Sequence, residues 1–293
     1  MSDQFTSQIK TVEEIPELRT LVRAQRQQQA SIGFVPTMGA LHSGHASLIE
    51  QARHDCDFVV VSIFVNPTQF GPNEDFEKYP RLRAQDLAIC QTAGADLVWM
   101  PTTEIMYAPE FSTVVAVETL SQILEGATRT THFQGVTTVV NKLLLSCLPD
   151  VAFFGAKDYQ QQAIIRRMCL DLNIPVEIKT CPIIRDQDGL ALSSRNVYLS
   201  AAERKSALSL SRALNIAEKK MNTGETNLDQ IKAEMQQLLD ATPLVKLDYA
   251  TIVDAHTLEE ISAPQPEMVA LIAASVGATR LIDNRILNLV STS

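Results

Sequence analysis

The segment PTMGALHSGHASL, Pro36 to Leu48, places two histidines, His42 and His45, three residues apart beside two glycines, Gly39 and Gly44. An apolar run precedes it and an amphipathic run follows, so the pair stands at the mouth of a helix. With Ser43 or a neighbour as cap, that helix begins at about Gly44. Its free N–H groups and dipole favour a phosphate, and the glycines let the backbone come close. His45 then lies in the first turn and His42 just before it. Both rings could donate hydrogen bonds to a pentavalent phosphorus in transit. A metal pair is the rival reading, since histidines three apart share a helix face, but no third ligand follows at an obvious spacing. The stretch matches neither the P-loop pattern nor G-x-G-x-x-G.

Four further clusters carry polar groups of the kinds a site uses. LALSSRN offers the hydroxyls of Ser193 and Ser194 and the guanidinium fork of Arg195, which suit terminal phosphate oxygens. A Ser-rich linker would have the same composition. In FFGAKDYQQ, Lys157 is either a solvated loop lysine or a point charge on a phosphate. Asp158 is either a helix N-cap or an acceptor for ribose hydroxyls, and Gln161 lies one turn further on. FVNPTQFG supplies the neutral amides of Asn66 and Gln69, which would also pass as turn residues. RTTHFQG holds Arg129 and His132, and a surface loop explains it equally well.

Such residues must be positioned by regular elements, and the hydrophobic pattern supplies them. Short apolar runs (SIGFVP, FVVVSIFV, ADLVWMP, VAFFG, PVEIKTCPI) alternate with helix-like stretches. In one of these, Val136, Val139, Val140, Leu143, Leu144 and Cys147 recur at helical spacing. Strands without polar alternation are covered on both faces, so alternating β and α units predict a parallel, doubly wound sheet. Ligands collect at the carboxyl ends of its strands, where PTMGALHSGH, NPTQFG and GAKD all fall. The character changes near residues 185–196. Beyond lie two helical stretches and the strand-like LDYATIVDA, MVALIAASV and TRLIDNRIL, which read as a smaller α+β domain with a mixed or antiparallel sheet. The domains expected are therefore 1–185 and 186–293.

The 293 residues can bury one large core or two modest ones. A formal net charge of −9 argues against a broad nucleic-acid surface. An anionic substrate would be met by a few placed cations and amides. The five cysteines form no C-x-x-C pair and read as reduced, mostly buried thiols of a cytoplasmic protein. The N-terminal segment lacks the apolar stretch of a secretory signal, and no apolar run is long enough to span a bilayer.

HxGH followed by SSRN is the two-signature arrangement of the nucleotidylyltransferase superfamily. Five separated segments, PTMGALHSGH, VVVSIFVNPTQFGPNEDFEKYPR, THFQGVTTVVNKL, FFGAKDYQQ and DGLALSSRN, occur here in one order. Together they closely resemble the pantothenate synthetases, ATP-dependent ligases that join pantoate to β-alanine, from about residue 8 to about 287.

The resemblance implies a Rossmann-like domain followed by a small C-terminal lid domain, a homodimer formed through the first domain, and a reaction in two half-steps through an acyl-adenylate. It implies that Met38, Gly39, His42 and His45 line the ATP phosphates, with His45 the main catalytic histidine and His42 its partner. Gly155, Ala156, Lys157 and Asp158 would hold the nucleotide, with Ile184 on the adenine side. Leu192, Ser193, Ser194 and Arg195 would close on the triphosphate, making Lys157 and Arg195 catalytic. Gln69 and Gln161 would bind pantoate, with Asn66, Tyr79, Arg129 and His132 as further contributors. Mg²⁺ would bridge phosphate oxygens and keep much of its water, with Asp86 a weak candidate ligand. Leu192, Ala156 and Val197 stand where relatives often have Met, Glu or Gln, and Gly. None of these departures removes a phosphate-binding or titrating group.

Overall fold

The computed structural model describes residues 9–288 except 73 and 75. In chain order the elements are β1 (Lys10–Val12), α1 (Ile15–Gln27), β2 (Ile32–Thr37), α2 (Ser43–Asp55), β3 (Phe58–Ile63), a 3-10 turn (Pro67–Gln69), α3 (Arg83–Ala93), β4 (Leu97–Trp99), α4 (Thr103–Met106), α5 (Glu125–Thr128) and α6 (His132–Cys147). They continue with β5 (Val151–Gly155), α7 (Tyr159–Asp171), β6 (Glu177–Cys181), a 3-10 helix (Ser194–Tyr198), α8 (Ala201–Asn222), α9 (Leu228–Asp240), β7 (Val245–Asp254), β8 (Glu267–Val276) and β9 (Thr279–Asn288).

The chain divides into two units. One holds the described residues up to Ala156 together with Ile164–Pro182, and the other holds Lys157–Ala163 and the described residues from Ile183 onward.

The first unit contains a six-stranded sheet in the order β1-β4-β3-β2-β5-β6, with every pairing parallel. Its strands are apolar at successive positions because both faces are covered. Phe34, Val60 and Ala152 pack among Leu18 and Val22 of α1, Val136, Val140 and Leu143 of α6, and Ile165 and Met168 of α7. Their strand neighbours Val35, Val61 and Phe153 point the other way, among Leu48, Ile49 and Ala52 of α2 and Leu87 and Cys90 of α3. The chain leaves β2 for β3 on one side and returns to β5 on the other. The strand order therefore reverses between β2 and β5, the place where doubly wound sheets take ligands.

The second unit is an antiparallel sheet, β7-β8-β9, with α8 and α9 packed on one face. Met268, Ala270, Ile272 and Ala274 alternate along β8 and meet Leu210 and Leu214 of α8 and Ile231 and Met235 of α9. Ser200 starts α8 with a capping box shared with Glu203. The sheet expected to be mixed or antiparallel is antiparallel throughout, because hairpin-like connections leave no crossover helix between its strands.

Candidate functional site

The carboxyl ends of β2, β3 and β5 deliver three segments to one edge of the sheet: residues 38–45, Asn66–Gln69 and Gly155–Ala156. The first is a tight left-handed turn, with φ of +81° at Gly39 and +50° at Ala40. An alanine there is disfavoured by roughly 1 kcal/mol. Asp86 of α3 offsets that cost. It is 1% exposed, and its two carboxylate oxygens accept the N–H groups of Ala40 at 3.1 Å and Leu41 at 2.7 Å. Burial pushes its carboxyl pKa up, and the two backbone hydrogen bonds oppose that shift. Asp86, which the resemblance implies as an Mg²⁺ ligand, thus uses both oxygens to hold the loop that carries the histidines.

The helix begins one residue earlier than the sequence suggested, and its cap is His42 rather than Ser43. The His42 ring Nδ1 accepts the Gly44 N–H at 3.1 Å, and the His45 ring Nδ1 accepts the His42 N–H at 3.3 Å. His-x-x-His therefore works here as a capping box, in the geometry usually made by Ser-x-x-Glu. The N–H groups expected to await an anion are partly used within the motif. A backbone N–H can only donate, so both Nδ1 atoms are acceptors and each neutral ring carries its proton on Nε2. The ring centroids lie 4.1 Å apart.

The second segment is fixed by groups whose polarity cannot be reversed. Asn66 is 1% exposed. Its Oδ1 accepts from the Thr68 hydroxyl and the Tyr107 hydroxyl, and its Nδ2 donates to the carbonyl of Gly135 at 3.2 Å and to Gln69 Oε1 at 3.0 Å. The Gly135 carbonyl only accepts, so that end of the Asn66 amide is its NH₂. The Gln69 atom facing it is then the oxygen, and Gln69 Nε2 is turned to Met38 Sδ at 3.0 Å. Gln69 thus presents a donor beside the histidine loop. Its backbone carbonyl accepts from His132 Nδ1 at 2.9 Å and from Arg129 at 3.4 Å.

Arg129 grips Glu74 with two hydrogen bonds, at 2.7 and 2.6 Å. Burial raises the Glu74 carboxyl, but the hydrogen bonds and charge of Arg129 outweigh it, and the net pKa is lowered. These described bonds of Asn66, Arg129 and His132 hold Gln69. Tyr79 is buried edge-on against Phe70.

In the second unit, Lys157 Nζ lies 3.8 Å from Asp158 Oδ1. Asp158 directly precedes α7, and its carbonyl accepts the Gln162 N–H. Arg185 bridges Ala191, and the Leu192 N–H returns to the carbonyl of Ile184. This hairpin delivers Ser193, whose hydroxyl caps the following 3-10 helix by accepting the Arg195 N–H at 3.3 Å. Ser193, Ser194 and Arg195 therefore lie at the start of a short 3-10 helix.

Comparison with known proteins decides the family. The family model for pantoate–β-alanine ligase matches residues 10–286. The chain belongs to the pantoate–β-alanine ligase family. It is a ligase that condenses pantoate with β-alanine. It is 50% identical to the pantothenate synthetase of Thermotoga petrophila over 279 residues, 95% of this chain and all of that one. The crystal structure of the pantothenate synthetase from Thermus thermophilus superposes with a TM-score of 0.90 at 45% identity, covering 94% of this chain and 99% of that one. The pantoate–β-alanine ligase of Francisella tularensis superposes with a TM-score of 0.78 at 33% identity, over 95% and 97% of the two chains. That enzyme is complexed with β,γ-ATP and β-alanine.

Within this ligase the first unit gathers Met38, Gly39, His42, His45, Asn66, Gln69, Arg129 and His132 through the contacts above. Lys157, Asp158, Gln161, Ile184, Leu192 and Ser193–Arg195 belong to the second. Sequence reasoning missed the cap role of His42, the loop role of Asp86, and Met38 as the neighbour of Gln69. It also missed β1 and α1, although Pro16 at the helix start and Glu17 in its first turn signalled the latter. All five cysteines are free and buried.

Proposed function

We propose that this ligase joins (R)-pantoate to β-alanine in two half-steps at the expense of ATP. A pantoate carboxylate oxygen attacks the α-phosphorus, and pyrophosphate leaves. The β-alanine amine then attacks the acyl carbon of pantoyl-adenylate, AMP leaves with the bonding pair, and the nitrogen gives up a proton. A free carboxylate is a poor acyl donor, and adenylation supplies the leaving group.

One observation carries this reading. The Gln69 Nε2 donor sits against Met38, in the loop that carries His42 and His45. An acid held there lies beside a phosphate held by the histidines, as in-line attack requires. His45, with His42, stabilises charge on the transferring phosphorus. Met38 and Gly39 line the phosphates. Gly155, Ala156, Lys157, Asp158 and Ile184 hold the nucleotide, and Leu192, Ser193, Ser194 and Arg195 bind the triphosphate. Gln161 joins Gln69 on pantoate, with Tyr79 nearby, while Asn66, Arg129 and His132 contribute by holding Gln69.

Mg²⁺ would accompany ATP and would supply positive charge at the phosphates while needing few protein ligands. Among the described residues no group of three or more His, Cys, Asp or Glu is gathered to hold a metal. The nucleotide- and pantoate-binding domain spans residues 1–185 and the lid domain 186–293. Among the described residues no helix is long and apolar enough to cross a membrane. We place the enzyme in the cytoplasm as a homodimer, acting on small molecules rather than nucleic acid.

Labelled pyrophosphate should exchange into ATP when pantoate is present and β-alanine is absent. Exchange driven by another acid but not by pantoate would replace this substrate assignment. Gln69→Glu turns the donor beside Met38 into a carboxylate oxygen that would face the carboxylate of pantoate. The pantoate KM should rise about 10- to 100-fold, the worth of a charged hydrogen bond, with the ATP KM little changed. A rise in the ATP KM alone would mean the two pockets are exchanged.

A further inference from the structure

β9 carries two consecutive buried polar residues at its centre, Asp283 at 4% and Asn284 at 3% exposure. The sheet has no use for them. Their pairing to Ile272 and Leu271 of β8 is a backbone ladder that any strand-forming residue sustains. Buried polar side chains need partners, and both partners lie in segments that the proposed function already employs. Asn284 Nδ2 donates to the carbonyl of Lys157 at 2.8 Å, across 127 positions of sequence. Asp283 takes the Arg185 guanidinium on both oxygens, at 2.7 and 2.8 Å.

Arg185 opens the hairpin whose returning arm ends in Ser193. It also donates to the carbonyl of Gly189 within that hairpin at 3.2 Å. Arg204 of α8 secures the outer turn of the hairpin through Asp186 and Asp188. Asp283 Oδ1 further accepts the Asn284 backbone N–H at 2.8 Å, which ties the Asp283 carboxylate to the main chain of Asn284.

We infer that Asn284 is a positioning residue for Lys157, and that the Asp283–Asn284 pair seats the Lys157 turn and the Ser193–Arg195 strip on one strand. The inference rests on the proposed role of Lys157 at the phosphates. Lys157 lies two residues past the end of β5, between that strand and α7. Tyr159, two residues further on, is tied to the same unit through its hydroxyl on the carbonyl of Ala255 at 2.9 Å. The turn that aims the ammonium is thereby held from the C-terminal sheet.

The test is a double-mutant cycle on pantoate-dependent pyrophosphate exchange, using the full chain. Asn284→Asp, which replaces the donor by a carboxylate that repels the Lys157 carbonyl, should slow exchange by up to about a hundredfold, the cost of a small misplacement. Lys157→Ala should be slow as well. The variant carrying both should be no slower than Lys157→Ala alone, because the first acts through the second. Losses that multiply would show that Asn284 acts elsewhere and would overturn the inference. A wild-type rate for Asn284→Asp beside a crippled Lys157→Ala would overturn it while leaving the lysine assignment standing. A wild-type rate for Lys157→Ala would overturn both. Thermal melts accompany each variant. Should Asn284→Asp melt early, Asn284→Ala, which removes the donor without adding a buried charge, carries the same cycle.

Discussion

Replacing His45 by alanine is expected to slow adenylate formation by about 10²- to 10³-fold, the loss seen when one transition-state donor is removed. The same change deletes the acceptor for the His42 N–H and should cost about 1 kcal/mol of stability through the cap. The two effects can be separated. His45→Gln keeps a side chain able to complete a capping box but lacks the imidazole. It should melt close to the unmodified enzyme and still be as slow as His45→Ala. Rapid-quench measurement of AMP-ester formation with pantoate and ATP reads the chemistry, and calorimetry reads the cap. A fast His45→Gln enzyme would reduce the second histidine to a helix-starting device.

Gly135→Ala should damage the fold and the presentation of Gln69 together. A methyl group there would sit 2.4 Å from the Thr68 carbonyl oxygen and 2.7 Å from Gln69 Cα. Both are backbone atoms of the turn that presents Gln69, so neither can rotate aside. Overpacking of this kind costs about 1–3 kcal/mol, a fall of several degrees in melting temperature at about 2–4 °C per kcal/mol. The turn must retreat from α6, which takes Gln69 away from Met38 and lengthens the Asn66 bond to the Gly135 carbonyl. The pantoate KM should therefore rise along with the loss of stability, while the ATP KM changes little. An alanine variant with an unaltered melting temperature would show that α6 and the turn can part without strain.

The parallel sheet was legible in the sequence because β2, β3 and β5 are apolar at consecutive positions, a pattern only a doubly covered strand needs. α6 was legible from its 3.6-residue repeat, and HxGH with SSRN from residue type and spacing. What escaped depends on contacts distant in sequence or on an uncommon use of a residue. Ser43 is a better cap by preference than His42, so local reasoning located the cap at Ser43 or a neighbour, and only the seated ring shows that it is His42. Asp86 lies 46 and 45 positions from the amides it accepts, and no spacing rule joins them. The resemblance offered Asp86 as a metal ligand, and the structure shows each of its oxygens accepting a backbone N–H of the histidine loop. Arg129 and His132 carried the right polar character, but their partners in Gln69 and Glu74 belong to tertiary structure alone.

The fixed amide of Gln69 has a consequence for ligand choice. A glutamine in an ordinary pocket can turn over by half a rotation and greet either a giver or a taker of hydrogen. Here a peptide oxygen on α6 dictates the sense of one carboxamide, which dictates the sense of the next, so the polarity at Gln69 is anchored in main chain. Molecules offering only hydrogens at that point, such as an ammonium in place of an oxygen, would meet another donor and be turned away. Fidelity toward an oxygen-rich acid is thus written into the packing of a helix on a turn.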